Sequence, residues 1–371
     1  MLLPPSIEET RKALRRLKNN KAPGTDGIAA ELVKNGGARL ENEIHQIVTE
    51  VWDSESMPCD WNLGIIYPIY KKGDRLDCNN YRGITVLNTA YKIFSLILQD
   101  RFVPHVEEIV GNNQRGFRNG KSTTDQIFTM RQILENLDEY RNDTYHLFID
   151  FKAAYDSIAR VKMYDAMSSL GIPAKLIRLV RMTMTNVTCQ VRVDGKLSGP
   201  FATTKGLRQG NGLACLLFNL TLERAIRDSR VETTGTIFYK STQILAYADD
   251  IDIIGLRRSY VAEAYQGIEQ AAESLGLQIN EAKTKLMVAT SADLPINNPN
   301  LLVPEFTYLG SKVSNDNSME AELRARMLAA NRSFYSLKKQ FTSKNLSRRT
   351  KLGLYSTYIV PVLTYASETW T

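Results

Sequence analysis

Ile244-Leu245-Ala246-Tyr247-Ala248-Asp249-Asp250-Ile251-Asp252-Ile253-Ile254 is the stretch on which the fold turns. Its apolar residues alternate on either side of a short polar break, the pattern of strand, tight turn and strand. Two adjacent carboxylates, Asp249 and Asp250, stand at the tip. Like charges held together between apolar strands repel, unless a cation sits between or beside them. A hard divalent ion such as Mg²⁺, which takes oxygen ligands, meets that need. Paired Asp residues also occur in plain solvated hairpin turns, so the tip needs support from the rest of the chain.

A second acid sits in similar company. Tyr145-His146-Leu147-Phe148-Ile149 reads as a buried strand that ends in Asp150, which holds the carboxylate firmly while leaving it open to a ligand. The chain then turns through Phe151 to Asp156 into a helix that stops at Gly171-Ile172-Pro173, with Asp156 as a helix cap. Thr204 to Gly210 forms a loop before the apolar helix face of Leu213, Leu216, Leu217 and Leu220. Val261, Tyr265, Ile268, Ala272 and Leu275 have helical spacing, closed by Gly276. A strand is expected to begin at Leu277 and Ile279, with a turn over Asn280 to Lys285, and a last short strand and bend at Phe306 to Gly310.

The N-terminal third is rich in basic loops. Ser6-Ile7-Glu8-Glu9 is a capping-box pattern that opens a helix over 6–19. Lys21-Ala22-Pro23-Gly24-Thr25-Asp26-Gly27 is a turn-rich loop. A strand from Ile65 to Tyr70 feeds Lys71-Lys72-Gly73-Asp74, and Arg82 follows in Asn80-Tyr81-Arg82. Gln114-Arg115-Gly116-Phe117-Arg118 leads to a helix start at Ser122 to Asp125.

Composition narrows the function classes. The 371 residues are 43% apolar, enough for a large core in two or three lobes. Cys59, Cys78, Cys189 and Cys215 show no zinc or disulfide spacing, and His45, His105 and His146 are isolated, which disfavours zinc and histidine-nucleophile chemistry. No signal peptide or spanning run is expected, so the chain reads as intracellular and reduced. The net charge is +7, an excess that the nine Lys and Arg of 320–351, set against Glu320 and Glu322, match by themselves. There Leu323, Met327, Ala330, Phe334, Leu337 and Phe341 mark an amphipathic helix, with Arg324, Arg326, Arg332, Lys338 and Lys339 mostly off the stripe. A basic face beside an acidic metal site points to a phosphate backbone, whereas alone it would be a solvated surface.

Taken in order, Asp150 with Tyr155, Arg208-Gln209-Gly210, Tyr247-Ala248-Asp249-Asp250, Lys283-Thr284 and Tyr308-Leu309-Gly310 resemble the motif series of reverse transcriptases. The Lys21–Gly27, Pro68–Asp74, Asn80–Arg82 and Gln114–Arg118 blocks are similar to those of non-LTR (LINE-type) retrotransposon polymerases, from about Ser6 to Trp370. The resemblance implies an α+β right-hand polymerase fold: fingers with an N-terminal extension over 1–145, a palm over 146–312 and an incomplete basic helical thumb over 313–371. Within the palm, a segment at about 160–205 is expected to return to the fingers side.

It also implies roles. Asp150, Asp249 and Asp250 would ligate two Mg²⁺ ions, with Mn²⁺ as a substitute, and Lys283 is a candidate acid for the leaving pyrophosphate, with Lys285 close enough to compete. Lys71, Lys72, Arg82, Phe151, Tyr155, Gln209 and Gly210 would bind the deoxynucleoside triphosphate, Tyr155 as a steric gate against the ribose 2′-hydroxyl. Arg115, Arg118, Tyr308, Leu309, Gly310 and the five basic residues of the 320–351 segment would bind nucleic acid. The partners implied are an RNA template, a DNA primer and deoxynucleoside triphosphates, in the nucleus and without a membrane. An endonuclease domain is expected elsewhere in the element.

Asn211-Gly212-Leu213-Ala214-Cys215 departs from the family, many of whose members carry an Asp and a Pro-containing turn there. Two other readings stay open at this point: a non-enzymatic nucleic-acid-binding remnant, and a group II intron maturase-like RNA-binding protein. The intact acids argue against the first and the Lys21–Gly27 block against the second.

Overall fold

The computed structural model of the chain describes residues 2–208, 210, 212–233, 235–289 and 301–370. They fall into two compact units: Met1–Gly111, Lys152–Asp228 and Gln270–Gln278 make one, and Asn112–Phe151, Ser229–Glu269 and Ile279–Thr371 the other.

In the first unit the expected capping box is present. Ser6 Oγ accepts from Glu9 N at 3.3 Å while the Glu9 carboxylate accepts from Ser6 N at 2.8 Å, which starts the Ile7–Arg16 helix. The same carboxylate receives Arg101 Nε and Nη2 at 2.6 and 2.8 Å, tying this helix to the long Thr89–Ile109 helix. The Lys21–Gly27 loop docks on the start of that long helix, where Thr25 N and Oγ1 donate to Asn88 Oδ1 at 3.0 and 2.9 Å. Trp52, Phe94, Phe102 and Phe218 are wholly buried around the packed Thr89–Ile109 and Leu213–Asp228 helices. A mixed sheet completes the unit: Leu63–Tyr70 pairs antiparallel with Tyr81–Val86 and parallel with Thr188–Val193. Asp156 falls inside the short Ala154–Ser157 helix, and the following Arg160–Ser169 helix begins at Ala159 without a side-chain cap, so the capping role expected of Asp156 is not met.

The second unit is organised on a four-stranded antiparallel sheet in the order Thr242–Tyr247, Asp250–Gly255, Thr144–Ile149, Lys285–Ala289. Phe148, Leu245, Ile254 and Met287 pack with Ile127, Met130 and Leu134 of the Thr123–Glu139 helix, which a second capping box at Ser122 and Asp125 begins. Leu147, Ile149, Ile251 and Ile253 on the other face are buried too, which explains why these strands read as near-continuous apolar runs. Asp252 shares the face of Phe148 and is wholly buried, its Oδ2 standing 3.0 Å from Nδ1 of the equally buried His146.

Two expectations fail here for identifiable reasons. The strand expected at Leu277 and Ile279 lies instead at Lys285–Ala289; only an isolated bridge joins Ile279 to Phe151. Asn280 N donates to Asp150 O at 2.7 Å and Lys283 N back to Asn280 O at 3.0 Å, so this segment is spent on a turn. The single basic amphipathic helix expected near 320–351 is divided into Glu320–Ser336, Lys338–Thr342 and Arg348–Tyr358. Along its expected apolar stripe Ala330 is buried, but Leu323, Met327 and Phe334 are exposed.

Candidate active site

The acid-bearing tip is a two-residue hairpin. Tyr247 pairs with Asp250, which leaves Ala248 and Asp249 to make the turn. Ala248 adopts φ 56°, a left-handed conformation that costs a non-glycine residue about 1–2 kcal/mol. Asp250 therefore opens one strand, and Asp150 follows the end of the neighbouring one. Ile149 is opposite Ile251, the last pair of this ladder, and Asp150 is the next residue along, close enough for its charge to act on Asp250. The three acids expected to act together lie in one unit, at one end of one sheet.

Their charges interact. Asp250 keeps solvent access, yet the surrounding protein and then the Asp249 and Asp150 charges push its carboxyl up to about 6, from an ordinary 3.8. Lys283 Nζ stands 3.2 Å from Asp150 Oδ2 and offsets part of that charge. A cavity of about 520 Å³ opens here, lined by Asp150, Asp250, Lys283, Lys285, Glu305 and Tyr308 among others. The sequence marks Phe306 only as the start of a short strand and gives no sign of Glu305; Phe306 also lines the cavity and stacks on Phe148 with centroids 4.0 Å apart and planes 7° apart.

The donor set suits a hard divalent cation: three carboxylates at one end of the sheet, one of them pushed toward neutrality by burial and then by the charges of the other two. Among the described residues, no three of His, Cys, Asp and Glu converge as a ready group for a metal ion, and Asp150 is engaged by Lys283.

The remaining candidates divide between the units. In the first, Lys71 and Lys72 follow the strand that ends at Tyr70, and Arg82 lies opposite Ile69 in the adjacent strand, so all three cations are exposed at one end of one hairpin. Tyr155 stacks on the buried Phe218, centroids 4.8 Å apart and planes 24° apart. Gly210 has φ 141°, and a Cβ there would come within 2.4 Å of Thr85 O, so no side chain fits. Gln209 lies outside the described residues.

In the second unit Phe151 is buried at its bridge to Ile279, and Arg115 Nη1 donates to Asp125 O and Thr129 Oγ1 at 2.8 and 3.0 Å. Arg118 is also buried and donates to Gln114 O at 3.0 Å. Tyr308 is buried against Phe148, while Leu309 and Gly310 form the turn into the Ser311–Ser314 strand. Arg326 pairs with the buried Glu322 at 2.8 Å, donates to Gly310 O and lies over the Tyr365 ring. Arg324, Arg332, Lys338 and Lys339 are exposed, Arg324 beside Glu320.

Residues 69–313 match the family model described as reverse transcriptase (RNA-dependent DNA polymerase). Among curated relatives, the "Transposon TX1 uncharacterized 149 kDa protein" of Xenopus laevis is 25% identical over 76% of this chain and 22% of its own length. The "Probable RNA-directed DNA polymerase from transposon BS" of Drosophila melanogaster is 23% identical over 99% of this chain and 42% of its own. The chain thus spans well under half the length of either relative. A solved telomerase from Candida tropicalis, in complex with a fragment of telomeric RNA, aligns with a TM-score of 0.53 at 13% identity, over 88% of this chain and 57% of that one. Apo telomerase from the same organism aligns at 0.51 and 14% identity, over 77% and 65%. At such identities the likeness speaks for the fold alone, which is α+β of the right-hand polymerase kind. With the acids gathered at one end of one sheet and a family model matched over residues 69–313, the chain belongs to the reverse transcriptase family.

Proposed function

We propose that this chain is the RNA-directed DNA polymerase section of a non-LTR retrotransposon protein, extending a DNA 3′-hydroxyl on an RNA template. The observation that supports this is that Asp150 and Asp250 both line a 520 Å³ cavity, at the ends of two adjacent strands that close on the Ile149–Ile251 pair. Asp150, Asp249 and Asp250 would hold two Mg²⁺ ions, or Mn²⁺ in their place; bound there, the ions supply charge for the attacking 3′-oxygen and the leaving pyrophosphate. The chain's own groups do the rest. Lys283, whose Nζ stands 3.2 Å from Asp150 Oδ2, would be the acid for the leaving pyrophosphate. Lys71, Lys72, Arg82 and Phe151 would bind the triphosphate, with Gln209 and Gly210 lining the nascent base pair and Tyr155 beneath the sugar.

The partners proposed are an RNA template, a DNA primer and deoxynucleoside triphosphates, with an endonuclease region elsewhere in the longer protein and the nucleus as the place of action. Among the described residues, no helix is long and apolar enough to cross a membrane. Fingers over 1–145, palm over 146–312 and thumb over 313–371 remain the proposed division of labour. Primer extension with Mg²⁺ on an RNA template tests the proposal. Extension by the parent, its loss in Asp249→Asn and near-parental RNA binding by that variant are expected. An inactive parent, or a variant that loses binding and extension together, would overturn it.

A further inference from the structure

The backbone of Ala248 is met by a side chain rather than by water. Ala248 is buried, as is Gln114, which is 1% exposed. Gln114 Oε1 accepts from Ala248 N at 2.8 Å, and its Nε2 donates to Ala248 O at 3.1 Å. One primary amide thus satisfies both the donor and the acceptor of a single residue, as a strand neighbour would. Just before the turn that neighbour is backbone: Ala246 N donates to Asn113 O at 2.7 Å, and Arg115 N to Ala246 O at 2.9 Å. Where the left-handed turn ends regular pairing, the Gln114 side chain continues it.

The approach is close from the other side of the amide as well. Gln114 Oε1 also accepts from Gly116 N at 2.8 Å. A Cβ on Gly116 would stand 2.2 Å from Ala248 N and 2.9 Å from Tyr247 C, so only glycine lets this segment lie against the turn.

We infer that Gln114 is a positioning residue that sets the direction of the Asp249 and Asp250 carboxylates by clamping the backbone of Ala248. Ala248 directly precedes the two acids, so its left-handed φ and the ψ that follows decide where both side chains point. The two clamping bonds offset the strain of that conformation in a dry site, where an unpaired backbone group is costly. Glutamine is the fitting residue: glutamate has no donor for Ala248 O, asparagine falls a methylene short, and methionine fills the volume with neither group. What the aimed carboxylates do rests on the polymerase proposal; the clamp itself does not.

Gln114→Met and Gln114→Asn test this, with Gln126→Met as a matched control. Gln126 is another buried amide of this unit, whose Nε2 donates to Ala246 O at 3.0 Å and to Asn113 O at 3.4 Å, one step before the turn rather than at Ala248. Three readouts are taken: hydrogen exchange of the 244–254 hairpin without metal, Mn²⁺ binding by electron paramagnetic resonance, and primer-extension kinetics. Both Gln114 variants should speed exchange at the hairpin and weaken Mn²⁺ binding, each by about tenfold or more, the scale of a lost hydrogen bond. Their kcat should fall about a hundredfold, the scale for a misplaced reacting geometry, with KM for deoxynucleotide little changed. Gln126→Met should melt earlier yet keep parental Mn²⁺ affinity. If Met at 114 prevents folding, the Asn variant, which keeps both polar groups, carries the test alone. Parental exchange and Mn²⁺ affinity in the Gln114 variants, or an equal loss in Gln126→Met, would overturn the inference. A parent that binds Mn²⁺ but extends no primer would overturn the polymerase proposal, while exchange and Mn²⁺ binding still decide the clamp.

Discussion

Asp150 follows Ile149 and Asp250 precedes Ile251, the last pair of their ladder, and the two acids line one cavity, so two strand ends bring like charges together. The carboxyl of Asp250 is pushed up to about 6 by burial and by its acidic neighbours. In the metal-free protein the folded state therefore binds a proton more tightly than the unfolded chain. This group's contribution to stability is fully present below about pH 4 and is lost as pH rises through about 6. Asp250→Asn removes that dependence. Denaturant unfolding without divalent ions should show the variant gaining on the parent between pH 4 and 6 and staying the more stable at neutral pH. Added Mg²⁺ should close the gap from the parent's side. A constant difference between the two proteins over that range would mean that neither burial nor the neighbouring acids raise this carboxyl.

Two residues along the same strand, Asp252 should behave in the opposite way. It is wholly buried against His146, Oδ2 to Nδ1 at 3.0 Å, in the core rather than at the sheet's end. Asp252→Ala leaves the imidazole without this partner, and stranding a buried polar group costs about 1–3 kcal/mol or more. Urea unfolding should show that loss at neutral pH, where Asp250→Asn gains stability. An Asp252 variant as stable as the parent would remove the pair from the forces holding this sheet.

The basic C-terminal helices divide into two groups. Arg326 is held by Glu322, Gly310 O and the Tyr365 ring, whereas Arg332, Lys338 and Lys339 are exposed. Replacing Arg332 and Lys338 by Gln should make the log–log dependence of template–primer binding on salt shallower by about one to two, through fewer released counterions. Arg326→Gln should lower the melting temperature instead and leave that slope alone. Equal slopes in the parent and the double variant would return the exposed cations to ordinary solvated surface.

Where the signal is local, the sequence states the structure directly. The capping boxes at Ser6 and Ser122, the strand ending in Asp150 and the hairpin at Asp249 all follow from spacing within a few residues. The Lys285–Ala289 strand is hard to read, because its apolar signal is the short run Leu286 to Ala289 and the turn before it looks equally extended. Periodicity marks Leu323, Met327 and Phe334 as one stripe but cannot tell whether anything covers it. Charge likewise gives sign without place: Arg118 and Arg326 read as surface cations, yet they are drawn inward by Gln114 O and Glu322. The Gln114 contacts join residues 134 positions apart, so no local pattern announces them.

The steric-gate role proposed for Tyr155 would separate a DNA-making enzyme from a general nucleotidyl transferase. Its ring stacks on Phe218, a wholly buried side chain of the Leu213–Asp228 helix, so it cannot easily swing aside. If the incoming sugar lies over this ring, a 2′-hydroxyl must overfill the space, and overpacking of that kind costs about 1–3 kcal/mol. That corresponds to roughly fivefold to more than a hundredfold in rate. Tyr155→Ala should therefore keep deoxynucleotide incorporation measurable and improve use of ribonucleotides by about that factor. Tyr155→Phe keeps the ring and its stacking on Phe218, so it should keep the parent's preference. The measurement is the ratio of kcat/KM for the two sugars in parent, Ala and Phe variants. A ratio unchanged in Tyr155→Ala would make the tyrosine a packing partner of Phe218 and place sugar selection elsewhere. A ratio relaxed equally in Tyr155→Phe would transfer the discrimination from the ring to its hydroxyl.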